Sequence, residues 1–224
     1  MLLATSLLYI YHSLFQLSEE MVSHVDIVPT VLDWFSIKYP TYKLNKRPVY
    51  LTGKSLLPVL QNKPTTGGDA VYASHNLHEV TMYYPMRVVR NKQYKLIRNL
   101  NFKMPFSIDQ DFFMSDSFQD ILNRTRTGAP VPWIKTLKQY YYRDYWELYD
   151  IQKDPAEVKN LVGSPQLKSV FQKLKSELFQ WQNLTGDPWI CGPEGVLEDE
   201  GKYLHDHRCF DVDNELGFSG HDEL

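Results

Sequence analysis

The sequence has few cysteines, no dominant charge and no long apolar run, and each shortage excludes a class of protein. Only two cysteines occur among 224 residues, which excludes a disulfide-rich miniprotein and a four-cysteine zinc site. A formal net charge of -3 provides no basic field to attract nucleic acid. No apolar run reaches the roughly 20 residues of a membrane-spanning helix. We therefore expect neither a nucleic-acid partner nor a membrane span.

The remaining composition is that of an ordinary globular protein, with 43% hydrophobic and 23% charged residues. That balance excludes a collagen-like, coiled-coil or wholly disordered chain. The length corresponds to one or two domains with enough residues to bury a core. Aromatic residues reach 14%, which favours half-exposed surfaces where rings pack while hydroxyl groups still reach water.

Several short features indicate the secretory pathway. Asn123 and Asn183 are predicted N-glycosylation sites, because each is followed two positions later by threonine without an intervening proline. The last residues, 221–224 (HDEL), match an endoplasmic-reticulum retention signal. The apolar residues 1–15 have the length of a signal-peptide core, but no basic residue or clear cleavage site accompanies them. A piece of a core strand or helix is the favoured interpretation of that segment.

Cys191 and Cys209 lie 18 positions apart in a loop-like tail rich in glycine, proline and aspartate. A disulfide between them would stabilise a loop with little core of its own by ~3 kcal/mol on the chain-entropy estimate. Two free thiols are the alternative. A zinc site completed by His205 and His207 is less favoured, because the spacing matches no standard zinc finger.

The middle of the chain is predicted to form a small antiparallel sheet. Residues 86–90 and 93–97 flank Asn91-Lys92, which is the spacing of a β-hairpin with a two-residue turn. Two further strands are predicted at residues 70–74 and 146–151. Together these segments indicate a sheet of three or four strands.

Helices are predicted before and after these strands along the chain. Apolar residues at helical spacing indicate a helix over residues 19–35 and a longer one from Ser164 to about Gly186. Asp154 to Glu157 have the pattern of a capping box with proline at the first helical position, which predicts the start of a further helix. The aromatic-rich segment 101–144 is expected to form short helices and loops. A small sheet with a helix across one face is an α+β architecture.

Residues 62–69 (NKPTTGGD) are the best candidate for a domain boundary, because proline and two glycines separate apolar stretches there. A proline- and tyrosine-rich connector precedes it at residues 39–50. Residues 51–58 are predicted to form a turn that leads into a short helix.

No complete catalytic motif is visible in the residues themselves. The chain has neither a Gly-x-Ser-x-Gly elbow nor a His-Glu-x-x-His pair. Residues 53–55 (GKS) resemble the end of a phosphate-binding loop, but Pro48 occupies the position of the first required glycine. The acidic run 109–120 lacks the glycine and terminal glutamate of a calcium loop.

His78, Glu79 and Arg87 are the candidate substrate-binding residues, with Tyr83 and Tyr84 between them. An arginine offers forked donors to a sulfate or carboxylate, and aromatic rings can stack on sugar faces. The alternative is an ordinary polar stretch before a strand. The residues alone do not decide between these two interpretations.

Particular segments resemble the sulfatase family. Three of them occur in the family's order, at residues 25–33 (VDIVPTVLD), 53–58 (GKSLLP) and 146–161 (beginning WELYD). Three longer matches are similar to the sulfatases that remove N-linked sulfate from glucosamine in heparan sulfate, at residues 78–87, 99–106 and 187–191. The resemblance extends over residues 17–216 and covers only the C-terminal part of such an enzyme.

This resemblance implies a division into three parts. Residues 1–16 do not match. Residues 17–66 correspond to the tail of the catalytic α/β domain, of the alkaline-phosphatase type. Residues 67–224 correspond to the C-terminal domain, in which a small antiparallel sheet packs against a long C-terminal helix.

The resemblance also implies a function for the complete enzyme. It would hydrolyse N-linked sulfate in heparan sulfate-derived oligosaccharides, and His78, Glu79 and Arg87 would lie near the rim of the substrate cleft. The family's formylglycine and calcium ion are expected in the missing N-terminal catalytic domain, because Cys191-Gly192-Pro193 lacks the following serine and arginine of the formylglycine motif. We therefore expect the isolated chain to be inactive. The alternative is a non-catalytic secretory glycoprotein that binds a glycan or a partner.

Family resemblance further implies a disulfide between Cys191 and Cys209 and a lysosomal location. In that case the retention signal at residues 221–224 would be accidental. A homodimer is a further expectation, and a truncated gene would explain why residues 1–16 do not match.

Overall fold

A computed structural model of the chain describes residues 18–44, 47–61, 70–79, 82–198 and 208–211. Contacts between residues divide the chain into two units, Met1–Val71 and Tyr72–Leu224. The assignment of residues 1–16, 17–66 and 67–224 to parts of a sulfatase stays a prediction.

The described residues of the first unit form two short helices and a two-stranded hairpin. Its elements are a 3-10 turn His24–Asp26, α1 (Ile27–Trp34), β1 (Tyr42–Leu44), β2 (Arg47–Val49) and α2 (Leu57–Leu60). The helix predicted over residues 19–35 is thus shorter than expected. Pro29 lies in the first turn of α1, and because proline is tolerated only there, the helix cannot begin much earlier. The hairpin was not predicted.

Two of the segments that resemble sulfatases, 25–33 and 53–58, are joined by hydrogen bonds in the first unit. The buried Asp26 carboxylate accepts hydrogen bonds from the backbone N–H groups of Ser23 at 2.8 Å and Lys54 at 2.9 Å. A side chain at Gly53 would place its Cβ 2.1 Å from the carbonyl oxygen of Val25. Ser55 Oγ donates to Asp33 at 2.6 Å. The segments 25–33 and 53–58 therefore form one interlocked element.

The second unit is built on a four-stranded sheet. Its strands are β3 (Ala70–Leu77), β4 (Tyr83–Asn91), β5 (Tyr94–Asn99) and β6 (Trp146–Asp150), in the spatial order β3-β4-β5-β6. The β4–β5 and β5–β6 pairs are antiparallel, with Val88 opposite Ile97 and Leu96 opposite Leu148. The predicted small antiparallel sheet is confirmed.

The hairpin turn lies one residue later than predicted, at Lys92-Gln93. The reason is the side chain of Asn91, whose Oδ1 accepts hydrogen bonds from the N–H groups of Gln93 at 2.9 Å and Tyr94 at 2.6 Å. This Asx-type turn keeps Asn91 in the strand and moves the reversal of the chain beyond it.

Three short helices occupy the aromatic-rich segment, as predicted. They are α3 (Gln110–Met114), α4 (Asp116–Thr127) and α5 (Leu137–Tyr141). Each begins at a capping side chain, from Asp109, Ser115 and Thr136 respectively. The acidic run is therefore used for capping at Asp109 and for a surface ion pair between Asp120 and Arg124 at 2.7 Å.

The long helix α6 (Lys168–Thr185) lies across β4 and β5. It follows a 3-10 turn at Pro165–Leu167 and ends at Gly186, which adopts the left-handed φ of 64° that favours glycine. Leu174 and Leu178 are buried against the sheet. The predicted helix and the α+β class are confirmed. Within the described residues, no helix is long and apolar enough to cross a membrane.

The helix predicted to start at Asp154 does not form, so that prediction is wrong. Asp154 Oδ2 accepts from the N–H groups of Val158 at 2.8 Å and Lys159 at 2.9 Å, which closes a turn. Glu157 has a left-handed φ of 56°, a conformation that a right-handed helix cannot contain. Its carboxylate instead binds Lys95 Nζ at 2.8 Å.

The tail forms a small sheet rather than the expected loop. β7 (Gly195–Glu198) pairs with β8 (Arg208–Asp211) in antiparallel register, and a disulfide joins Cys191 to Cys209. His205 and His207, the other residues of the proposed zinc site, lie outside the described residues. Among those described, no three His, Cys, Asp or Glu side chains are grouped to hold a metal.

Candidate functional site

Arg87 lies in β4 and is buried, with 3% of its surface exposed. Its Nε and Nη2 donate to the two carboxylate oxygens of Asp187, at 2.6 and 2.9 Å. Its Nη1 donates to the carbonyl oxygen of His75 at 3.2 Å and to Asn76 Oδ1 at 2.9 Å. The guanidinium therefore joins β3, β4 and the segment that follows α6.

Asp187 is held as a carboxylate by the groups around it. It also accepts hydrogen bonds from Gln182 Nε2 at 2.9 Å and from the N–H of Trp189 at 3.1 Å. Burial raises the pKa of Asp187, whereas the hydrogen bonds from Arg87, Gln182 and Trp189 lower it, and the lowering prevails. The pair of Arg87 and Asp187 is thus a satisfied buried ion pair.

His78 and Glu79 lie in a different environment from Arg87. Both are exposed and directly follow β3. His78 Nε2 is 3.7 Å from Asp109 Oδ2. Between described residues, no hydrogen bond or ion pair joins Arg87 to either of them. The sequence grouped these three residues, but the structure leaves two at the surface and places the third inside.

Their binding of substrate stays a prediction, and the geometry assigns different parts to them. The exposed imidazole and carboxylate of His78 and Glu79 can contact a solute. The guanidinium of Arg87 is already occupied by Asp187, so a direct contact with a sulfate would require the buried pair to break. Arg87 does fix the backbone at His75 and the side chain of Asn76, shortly before the two exposed residues.

Arg98 is a second buried arginine, which the sequence reasoning did not single out. It lies in β5 with 2% of its surface exposed, and its guanidinium donates to the carbonyl oxygens of Gly192 and of Ile190. It also donates to the hydroxyl of Tyr145 at 3.0 Å and lies 4.6 Å from the ring centroid of Phe179. Its only sequence signal was a charged residue directly after the apolar pair Leu96 and Ile97.

Both buried arginines bind the family-like segment 187–191 or the residue after it. Arg87 binds the carboxylate at its start, and Arg98 binds backbone carbonyls at and just beyond its end. The disulfide from Cys191 then ties β8 to the same segment. Two buried arginines of the sheet thus hold the segment 187–192, and the disulfide attaches β8 to that segment.

Glu147 is the centre of a further buried polar group, in β6. It accepts hydrogen bonds from the hydroxyl of Tyr149 at 3.0 Å and from Asn99 Nδ2 at 3.0 Å. Burial raises the pKa of Tyr149, and the neighbouring Glu147 raises it further. Burial also raises the pKa of Tyr84 to about 12. Both phenols stay protonated at physiological pH, but only that of Tyr149 donates to a carboxylate, whereas the buried Tyr84 hydroxyl has no hydrogen-bond partner among the described residues.

The predicted glycosylation sites are both on helix surfaces. Asn123 lies in α4 and Asn183 in α6, and both are exposed. This exposure is compatible with modification, which stays a prediction.

Comparisons with known proteins point to one family. The family model described as N-sulphoglucosamine sulphohydrolase, C-terminal, matches residues 126–184, which include α5, β6 and all of α6 except Thr185. Human N-sulphoglucosamine sulphohydrolase is 48% identical over 202 residues, which are 90% of this chain and 39% of the human protein. An ulvan-active sulfatase of Formosa agariphila is 29% identical over 175 residues, or 76% of this chain and 30% of that protein.

The solved structure of a 2-O GAG sulfatase matches with 21% identity and a TM-score of 0.45. The match covers 73% of this chain and 25% of that protein's chain. The chain thus spans less than half the length of each of these relatives. The resemblance predicted from the motifs is confirmed. The chain is similar in sequence to the C-terminal part of N-sulphoglucosamine sulphohydrolase.

Proposed function

We propose that the chain is the C-terminal part of an enzyme that hydrolyses the N-linked sulfate from glucosamine residues of heparan sulfate. The observation that carries this proposal is the 48% identity with human N-sulphoglucosamine sulphohydrolase over 90% of the chain. The family-like segments support it. Segments 25–33 and 53–58 form the interlocked element of the first unit, and segment 187–191 is held by the buried Arg87 and Arg98 of the second. In the complete enzyme this part would form one side of the substrate cleft.

The catalytic groups of the family would come from outside these 224 residues. Both cysteines of the chain are joined in a disulfide, so neither is free to become a formylglycine. The described residues also provide no cluster of ligands that fits a calcium ion. We therefore propose that the chain alone does not hydrolyse the substrate.

His78 and Glu79 would contact the substrate at the rim of the cleft, and Arg87 would position them. Support comes from their exposure and from the hydrogen bonds by which Arg87 fixes the end of β3. His78→Ala and Glu79→Gln in the complete enzyme should raise KM with little change in kcat, since such contacts bind substrate and transition state alike. Lys153→Ala, at a side chain 82% exposed, is the matched surface control. An unchanged KM in both variants would show that His78 and Glu79 do not contact the substrate.

We further propose that the protein reaches the lysosome through the secretory pathway. The disulfide and the two exposed asparagines of the sequons support this route, because disulfides persist in oxidising compartments. Localisation of the full chain with and without residues 221–224 would test it. Retention in the endoplasmic reticulum that depends on these four residues would contradict the lysosomal assignment.

A chimaera tests the main proposal directly. Residues 17–224 would replace the matching C-terminal part of the human relative, and the product would be assayed on an N-sulfated glucosamine substrate beside the 224-residue chain alone. We expect hydrolysis by the chimaera and none by the isolated chain. A folded, secreted chimaera that binds but does not hydrolyse the substrate would favour the non-catalytic alternative. Hydrolysis by the isolated chain would refute the proposed division of labour.

A further inference from the structure

An open groove of about 600 Å³ runs along the outer face of α6. This volume lies within the roughly 300–1,000 Å³ of typical small-ligand sites. The helix contributes the lining residues Gln172, Lys175, Ser176, Phe179, Gln180 and Asn183. The groove is thus lined mainly by amides, a hydroxyl and an ammonium group, with one aromatic ring.

The groove is suited to a sugar by its chemistry. Ser176 Oγ accepts a hydrogen bond from Gln180 Nε2 at 3.2 Å, so these two polar groups are already positioned together. The ring of Phe179 and the side chain of Ile190 offer apolar surface to one face of a pyranose. Lys175 Nζ lies 5.4 Å from the ring centroid of Trp146, which favours a defined position for the cation.

The position of Asn183 shows which sugar can reach the groove. Asn183 lies at the C-terminal end of the groove and is exposed. Residues three and four apart share one face of a helix, so Asn183 follows Phe179, Gln180 and Ser176 along the lining. Helical side chains point toward the N-terminus and cover the preceding turn. A group attached to Asn183 Nδ2 therefore begins over Phe179 and Gln180.

We propose that the groove is the seat of the protein's own N-linked glycan at Asn183. The first N-acetylglucosamine lies over Phe179 and Gln180, and the next sugars extend along α6 toward Ser176 and Lys175. The transfer joins Asn183 Nδ2 to the anomeric carbon, breaks that carbon's bond to a lipid pyrophosphate donor, and releases one amide proton. The attached glycan covers the apolar surface of the groove and stabilises the outer face of α6.

The test uses the full chain made in a secretory host. Glycopeptide mass spectrometry gives the occupancy of both sequons. Acetylation of lysines under native conditions, followed by peptide mapping, then measures how fast Lys175 reacts. We expect Lys175 to react several-fold faster in Asn183→Gln, and also in wild type after enzymatic removal of glycans from the folded protein. Asn123→Gln is the matched control and should leave the rate at Lys175 unchanged.

Three results would overturn the proposal. The first is an unmodified Asn183 in a chain whose Asn123 is glycosylated. The second is an equal rate at Lys175 in wild type and in Asn183→Gln, with the same circular dichroism spectrum. The third is protection of Lys175 in glycosylated wild type by an added heparan sulfate oligosaccharide, because a groove filled by its own glycan has no room for it.

Discussion

Replacement of Asp187 by alanine should destabilise the second unit more than any surface substitution. Asp187 accepts four hydrogen bonds, from Arg87 Nε at 2.6 Å, Arg87 Nη2 at 2.9 Å, Gln182 Nε2 at 2.9 Å and the N–H of Trp189 at 3.1 Å. Alanine removes both carboxylate oxygens, and with them all four hydrogen bonds, and leaves the guanidinium charge buried without an ionic partner.

The magnitude follows from the burial of the pair. The side chains of Arg87 and Asp187 are 3% and 7% exposed, so water cannot replace the lost carboxylate. Removing one partner of a buried pair costs about 3–5 kcal/mol. Since two further donors lose their acceptor, we expect Asp187→Ala to lie in the upper half of that range. The double replacement Arg87→Met with Asp187→Leu should lose less than either single change, because it leaves no charge unpaired.

Urea denaturation of the full chain measures the free energy of unfolding for each variant, at equal slope m. Asp120→Ala is the control, because it breaks the ion pair of Asp120 with Arg124 at 2.7 Å where the two side chains are 51% and 42% exposed. Such surface pairs contribute roughly 0–1 kcal/mol. If Asp187→Ala cost no more than Asp120→Ala, the two buried charges would not anchor the tail and the reasoning would fail.

Three further predictions concern pH, the disulfide and the first unit. The pKa of Asp187 is lowered in the folded state. Its contribution to the free energy of unfolding is therefore present above the ordinary aspartate pKa of about 4 and is lost as pH falls below it. In Asp187→Asn, the free energy of unfolding should therefore decrease less steeply as the solution is acidified. Replacing Cys191 and Cys209 by serine should lower the free energy of unfolding by ~3 kcal/mol, whereas equal urea midpoints would show that the 18-residue loop is held without the bond. Gly53→Ala should speed proteolysis within residues 18–61, because its Cβ would lie 2.1 Å from the carbonyl oxygen of Val25. Gly163→Ala, with open space around its Cβ, is the control, and equal cleavage of the two variants would contradict the clash.

Elements that depend on local spacing could be predicted from the sequence. The β4–β5 hairpin and α6 follow from periodicity and from the glycine that ends the helix. The helix at Asp154 was wrong because the capping-box pattern is local, whereas Glu157 is held by Lys95, 62 residues away. A pattern of four residues contains no information about such a partner.

The candidate site was harder to predict from the sequence, again because its partners lie far apart along the chain. Arg87 is charged, and its place in the sequence beside tyrosines and His78 favoured a surface role. Its actual partner Asp187 is 100 residues away, and the carbonyl of Gly192 is 94 residues from Arg98. Burial of an arginine can be predicted only when the acceptors that satisfy it are known.

The anchoring of the tail by two buried arginines also determines when the protein can finish folding. The strand that carries Arg87 leaves the ribosome 100 residues before Asp187, a delay of ~5–20 s at ordinary rates of synthesis. During that interval, closing α6 over the sheet would bury both guanidinium groups without these partners, so we expect α6 to close only after the segment from Asp187 to Gly192 has emerged. A premature stop codon anywhere before residue 187 would make that interval permanent, and we expect such products to be bound by chaperones and degraded.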